Sequence, residues 1–208
     1  MLVGAGNRRH GLVQVTLLVA ALGALAGCAE TADEGSKPDA PASASATAAG
    51  TIAKSGGSIG AAGSACELPV TFDMAEDWTA EAVDEPPSQG PVALVCEVDA
   101  KPAGHIGFLR VWTGDPGNDD ARAVLEAFMA DEENASKARY STFTTGGVAG
   151  VEVEYAYQSE FDDAPKTERA LAVTTPRGSV VVHLGGLDTE EHEAMLPAFE
   201  LAKRTLKA

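Results

Sequence analysis

The sequence predicts an α+β fold: one antiparallel β-sheet with two α-helices packed on it, in a single globular domain behind a disordered tether. Three observations predict it. Several short segments alternate apolar and polar residues with period two, as half-buried antiparallel strands do. Turns rich in Gly, Pro and Asp join them at hairpin spacing. Two other segments repeat their apolar residues every three to four positions, which is the pattern of an amphipathic helix. The order strands, helix, strands, helix suits helices laid on an antiparallel sheet.

The first element is an export signal. Arg8, Arg9 and His10 precede an apolar run that ends at Leu25-Ala26-Gly27-Cys28. A basic head, a short apolar middle and small residues at the end describe a signal segment over residues 1–27. The unbroken apolar part is about half of the roughly 20 residues a spanning helix needs. Leu25-Ala26-Gly27-Cys28 resembles the bacterial lipobox, in which the cysteine is lipidated and the chain is cut just before it. Lipidation needs a thiol, and the peptidase needs small residues before it. Cys28 is therefore the expected lipidation site, and several acyl chains on one residue anchor a protein without a protein span. An ordinary secretory signal with a chance cysteine is the alternative. The residues after Arg8-Arg9 fit the twin-arginine motif poorly. The expected location is extracytoplasmic, on the outer face of the cell membrane.

Residues 28–65 follow as a tether. They are rich in Ala, Ser, Thr, Gly and Pro, and Ile52 and Ile59 are the exceptions among large apolar side chains. Such a segment cannot bury enough apolar surface to fold, and its rms reach would be roughly 30–35 Å. Glycosylation of its Ser and Thr residues is a second use for it.

The globular domain is expected at 66–208. The whole chain holds 15 Lys+Arg against 31 Asp+Glu, a net charge of −16. Such a charge repels phosphate backbones, so nucleic acid is excluded as a partner. It also repels anionic lipid surfaces, so the membrane attachment has to come from the lipid on Cys28. Cys66 and Cys96 are the domain's two cysteines. Outside the cytoplasm an even pair reads as a disulfide, and closing a loop of about 31 residues contributes roughly 3–4 kcal/mol. A metal pair or a catalytic thiol finds no support in the spacing.

Within the domain, 69–78 reads as a short strand and a turn leading into a second strand at 78–83. Two prolines in series and a glycine make 85–91 a loop. The alternation of Val92, Leu94, Cys96 and Val98 predicts a strand, and 105–112 is β-branched and aromatic enough for another. Asn118 or Asp119 can cap a helix over 119–135, whose Ala121, Val124, Leu125 and Phe128 form one apolar face. A strand near 140–144, a turn at Gly146-Gly147 and a strand at 150–158 follow. In the last of these Val151, Val153, Tyr155 and Tyr157 alternate with Glu152 and Glu154, which predicts one wet face. Asp162-Asp163 reads as a turn. Segments 167–175 and 179–186 form a hairpin around Pro176-Arg177-Gly178. Asp188, with Glu191 three residues on, opens a last helix. Its stripe is Met195, Phe199, Ala202 and Leu206, and Pro197 should kink or restart it.

This layout resembles the PsbP-like fold, in particular the LpqN-type lipoproteins of high-GC Gram-positive bacteria. The likeness is carried by LAGC with its Ser/Ala/Pro tether, the strand ending at Asp77-Trp78, the helix at 119–135, and the closing hairpin before a Pro-containing terminal helix. The resemblance implies a binding or accessory protein without a catalytic centre and transfers no functional residue. The acidity and the Cys66/Cys96 pair depart from it.

Motifs for chemistry are sparse. His105, His183 and His192 stand apart in sequence, with no HExxH and no phosphate-cradling loop. Asp115, Asn118, Asp119 and Asp120 are the densest oxygen cluster and the candidate metal ligands, but they do not match EF-hand spacing. Trp78, Trp112, Tyr155 and Tyr157 are the candidate ligand-binding residues, with core packing as the competing use. No cofactor is expected. The function that follows is a membrane-anchored, non-enzymatic accessory protein with an envelope protein as partner. A small-molecule-binding lipoprotein with a pocket between sheet and helix is the alternative, and a hydrolase assembled only by folding is the third.

Overall fold

The computed structural model describes residues 51–117, 120–161 and 163–208. The signal segment 1–27, Cys28, the tether up to residue 50, Asn118, Asp119 and Asp162 lie outside the described residues.

Among the described residues the main sheet has eight strands, all paired antiparallel, in the order β3-β5-β6-β10-β9-β8-β7, with β4 added beside β5. In chain order these are β3 (Thr79–Ala82), β4 (Ser88–Gln89), β5 (Val92–Asp99), β6 (Gly107–Gly114), β7 (Ala135–Thr145), β8 (Val148–Tyr157), β9 (Lys166–Thr175) and β10 (Gly178–Gly186). A separate two-stranded ribbon pairs β1 (Ser55–Ile59) with β2 (Phe72–Ala75). Helices α1 (Ala121–Ala130) and α2 (Thr189–Thr205) complete the fold. The α+β reading with two helices on an antiparallel sheet therefore describes the molecule.

The helices take opposite faces. One core gathers Leu125 and Phe128 of α1 over Val153, Ala170, Ala172 and Val181. The other gathers Met195 and Phe199 of α2, with Phe72 of the ribbon, over Leu109, Leu171 and Val182. Every residue of β10 is buried, because this central strand has a helix on each side. That explains its near-continuous apolar run, SVVVHL, where a one-faced strand would alternate.

Several boundaries differ from the sequence expectation. The ordered chain begins before residue 66. Its five-residue β1 pairs with β2, and Ile59 is 2% exposed, packed in the core. Ser- and Gly-rich composition argues against a strand, but Ile59 supplies an apolar anchor and tertiary pairing overrides propensity. Helix α1 stops at Ala130. Asp131, Glu132, Glu133 and Asn134 place acidic and polar groups at its negative end, where the dipole opposes them, and β7 starts at Ala135. Its N-cap is Asp120, whose Oδ1 accepts from the Ala123 amide (2.8 Å). Asp188 caps α2 as expected, accepting from the Glu191 amide (2.9 Å). Pro197 does not restart α2, which runs unbroken from Thr189 to Thr205. The Pro197 carbonyl accepts from the Ala53 amide (3.0 Å), so the entering chain is fastened to this helix.

Cys66 and Cys96 form a disulfide with Cα atoms 5.9 Å apart. Both are buried in the α2-side core. The bridge ties the segment between β1 and β2 to the interior of β5.

Candidate functional site

The densest convergence of titratable side chains lies on the α1 side of β8, β9 and β10. Tyr155, Glu168 and His183 occupy the strand parity that also carries Val153, Ala170 and Val181 into that core. Each polar group therefore points inward, among apolar neighbours. The Tyr155 hydroxyl donates to Glu168 Oε2 (3.0 Å), and His183 Nε2 lies 3.0 Å from both atoms. The three polar atoms form a near-equilateral triangle. The carboxylate oxygen has lone pairs enough to accept from both neighbours. Lys166 Nζ sits 3.1 Å from the other oxygen, Glu168 Oε1, and donates to the Gly186 carbonyl (2.7 Å).

Electrostatics follow from this packing. Burial pushes the Glu168 carboxyl up, but the hydrogen bond and charge of His183, with the Lys166 ammonium, outweigh it and hold the group down at about 2. Burial, reinforced by the Glu168 charge, pushes the Tyr155 phenol far above its ordinary range. Glu132, just past α1, is raised by burial and meets Gln89 Nε2 at 3.4 Å. A carboxylate that stays ionised is a poor base, and a phenol that keeps its proton is a poor nucleophile. Tyr155, Glu168 and His183 are all under 10% exposed. Gly185 adjoins them, and a Cβ there would meet His183 Cε1 at 3.2 Å, so the packing is closed on that side as well. The arrangement is built to satisfy buried charge and pin three strands together.

The opposite face holds a second network. Arg169 pairs with Glu152 (2.9 Å) and Glu154, Glu154 also pairs with Arg139, and Lys203 of α2 bridges Glu152 (2.9 Å) and Glu200 (2.6 Å). The expected wet face of β8 is thus partly covered: Glu152 is buried beneath α2. His192 lies in α2 with both ring nitrogens buried and unpartnered. Burial, then the charge of Arg169, lowers it to about 4.

The candidate ligand-binding aromatics do not share one pocket. Trp112 packs edge-on to Phe128 with centroids 5.5 Å apart, and its indole Nε1 is buried without a partner. Tyr155 is in the triangle, and Tyr157 lies beneath Lys166 (5.1 Å). Trp78 is on the other face, in a groove of about 250 Å³ with Met195, His105, Asp77 and Pro197. Of the candidate metal ligands, Asp120 is committed to its helix cap, Asp115 lines a shallow groove beside Pro91 and Pro116, and Asn118 and Asp119 lie outside the described residues. Among the described residues no three metal-ligating side chains converge. Likewise among them, no helix is long and apolar enough to cross a membrane.

Glu168 was missed by sequence reasoning, and His183 was seen only as a strand residue. The available signal was parity: in TERALAV, Glu168 takes the same face as Ala170 and Ala172, so an acid points where alanines are buried.

A family model described as an uncharacterised lipoprotein matches residues 36–206, so the chain belongs to that family. No curated protein matches it. Among solved structures, the solution structure of cyanobacterial PsbP (CyanoP) from Synechocystis sp. PCC 6803 is similar, with a TM-score of 0.52 and 12% identity, over 73% of this chain and 91% of that one. That likeness shows the PsbP-like fold. The crystal structure of LpqN, involved in cell envelope biogenesis of Mycobacterium tuberculosis, aligns with a TM-score of 0.38 and 18% identity, over 67% of this chain and 83% of that one.

Proposed function

We propose that this chain, as a member of that lipoprotein family, is anchored by lipid on Cys28 at the outer face of the cell membrane and serves there as a non-enzymatic accessory protein that binds another envelope protein. The lipobox-like LAGC, residues 1–27 as signal and the tether after Cys28 motivate the anchor. The observation that carries the accessory reading is the mutual saturation of Tyr155, Glu168 and His183 under α1. The place where acid, base and hydroxyl converge is buried, each group is taken up by the other two, and no substrate reaches them in this packing. Surface recognition is then the use left to the fold.

Cross-linking in native membranes followed by mass spectrometry tests this. One reproducible protein neighbour, together with acyl mass on Cys28, is the expected result. Repeated cross-linking that returns no specific neighbour, or an unmodified Cys28, overturns it.

A second reading is favoured by the groove of about 250 Å³ between α2 and the Trp78 turn. It has Trp78 in its wall and lies between α2 and the turns at 76–78 and 103–105, a concave setting of the kind small molecules use. A ligand that raises the melting temperature of the parent chain but not of Trp78→Ala would support it.

A further inference from the structure

Strand β7 is one edge of the main sheet, with β8 as its only strand partner among the described residues. It is eleven residues long and none of them is buried. An edge of that length offers a row of unpaired backbone donors and acceptors, which proteins ordinarily blunt with charge, proline, a bulge or a short strand. The opposite edge is blunted in this way: β3 has four residues and contains Glu81, and β4 has two. On β7 only the first half is defended. A bulge lies between Ser136 and Arg139, Lys137 takes a left-handed conformation (φ 56°), and Lys137 and Arg139 carry the strand's charges. Residues 140–145, YSTFTT, have no charge, no proline and no bulge, and are β-branched or aromatic at five of six positions.

We infer that β7 is a self-association edge, at which a second copy of this chain pairs antiparallel through residues 140–145 to continue the sheet across a twofold axis. Symmetry and charge select this occupant. A twofold contact between antiparallel strands has its axis normal to the sheet, so the α1 face of one copy continues into the α1 face of the other. Opposed residues must then have the same parity. Of the registers that parity allows, those centred on Ser141 or on Thr142 set Tyr140 opposite another residue of the uncharged 140–145 run. In the first, Tyr140 opposes Thr142 and Arg139 opposes Phe143. In the second, Tyr140 opposes Thr144 and Ser141 opposes Phe143. Both place aromatic beside β-branched, hydroxyl or guanidinium partners, which are favourable cross-strand neighbours. Both also send the two Lys137-Arg139 pairs to opposite ends of the junction, whereas a parallel arrangement would stack like charges. In a chain of net charge −16, the run 140–145 holds no acidic residue, so two copies meet there without opposing carboxylates. The inference does not depend on the accessory reading, since a dimer edge is compatible with either proposed ligand class.

The test is disulfide trapping in native membranes with the full chain. Ser141 and Thr142 are exposed, and residues placed across the twofold axis have Cα separations of about 4.5–5.5 Å, within disulfide range. S141C or T142C should shift most of the protein to twice its mass on non-reducing gels after mild oxidation. The parent chain and E81C, at the blunted edge, should stay monomeric. Adding T142K to S141C should reduce trapping at least tenfold. Alkylation resistance of Cys66 and Cys96 verifies that each variant is folded. No dimer from either cysteine, equal trapping by E81C, or a mixed disulfide to another protein in place of the dimer overturns self-pairing. None of these outcomes bears on whether lipid is attached to Cys28.

Discussion

Glu168 Oε2 and His183 Nε2 lie 3.0 Å apart beneath α1, with the Tyr155 hydroxyl 3.0 Å from each. A buried carboxylate is costly unless each lone pair is used, and removing one partner leaves the other charge uncompensated. Here two strands and a third each supply one corner, so the contact reports whether the centre of the sheet is assembled. E168Q keeps the size and removes the charge. It should destabilise the fold by about 1–3 kcal/mol, seen as a lower urea midpoint with unchanged slope. An unchanged midpoint would show that the triangle is energetically idle.

The same group predicts an acid limb. Its folded pKa is held at about 2 against an ordinary 4.5. A depressed carboxylate contributes stability that is fully present above the unfolded value and is lost as pH falls from 4.5 toward 2. E168Q should flatten the stability profile in that window when urea midpoints are measured at successive pH values.

His192 acts at higher pH. Its folded value is about 4 against an ordinary 6.5, so the native state holds it neutral and binds fewer protons than the unfolded chain between those values. Stability is complete above 6.5 and falls as pH drops from 6.5 to 4, by up to about 3 kcal/mol. H192L should remove this slope. It should not lower stability at pH 7.5 by the margin a lost hydrogen bond would cause, since both ring nitrogens are unpartnered. A strong pH-independent loss would show that the ring is bonded after all.

Ile59 tests where the folded chain begins. It is 2% exposed in the α2-side core, so I59A should cost about 2–5 kcal/mol. I52A, at a site 40% exposed, should change the melting temperature little. Equal, negligible effects would return 51–65 to the tether.

The Cys66–Cys96 bridge closes the segment between β1 and β5. Replacing both by alanine should cost about 2–4 kcal/mol, and the parent chain should show the same loss on reduction. Insensitivity to reductant under unfolding conditions would count against the bridge.

Much of the fold was legible because it is local. Period-two alternation located β5 and β8, the turn at Pro176-Arg177-Gly178 located the β9-β10 hairpin, the 3.6-residue stripe located α1 and α2, and Asp188 announced the last helix through its own side chain. The cysteine pair was legible from number and compartment. The buried triangle was not, since Tyr155, Glu168 and His183 come from three strands and each looks ordinary among its sequence neighbours. The same holds for the paired Glu152, which alternation alone placed in water. Helix α2 covers it through Lys203, fifty-one residues away.

The sequence by itself therefore determined the types of most elements, their order and the chain's acidity, because propensity, periodicity and charge act over a few residues. Only the tertiary structure decided that the helices take opposite faces, that β1 belongs to the fold through Ile59, and that β7 ends the sheet among the described residues. These depend on which surfaces meet, and burial free energy is set by contacts between segments far apart in the chain.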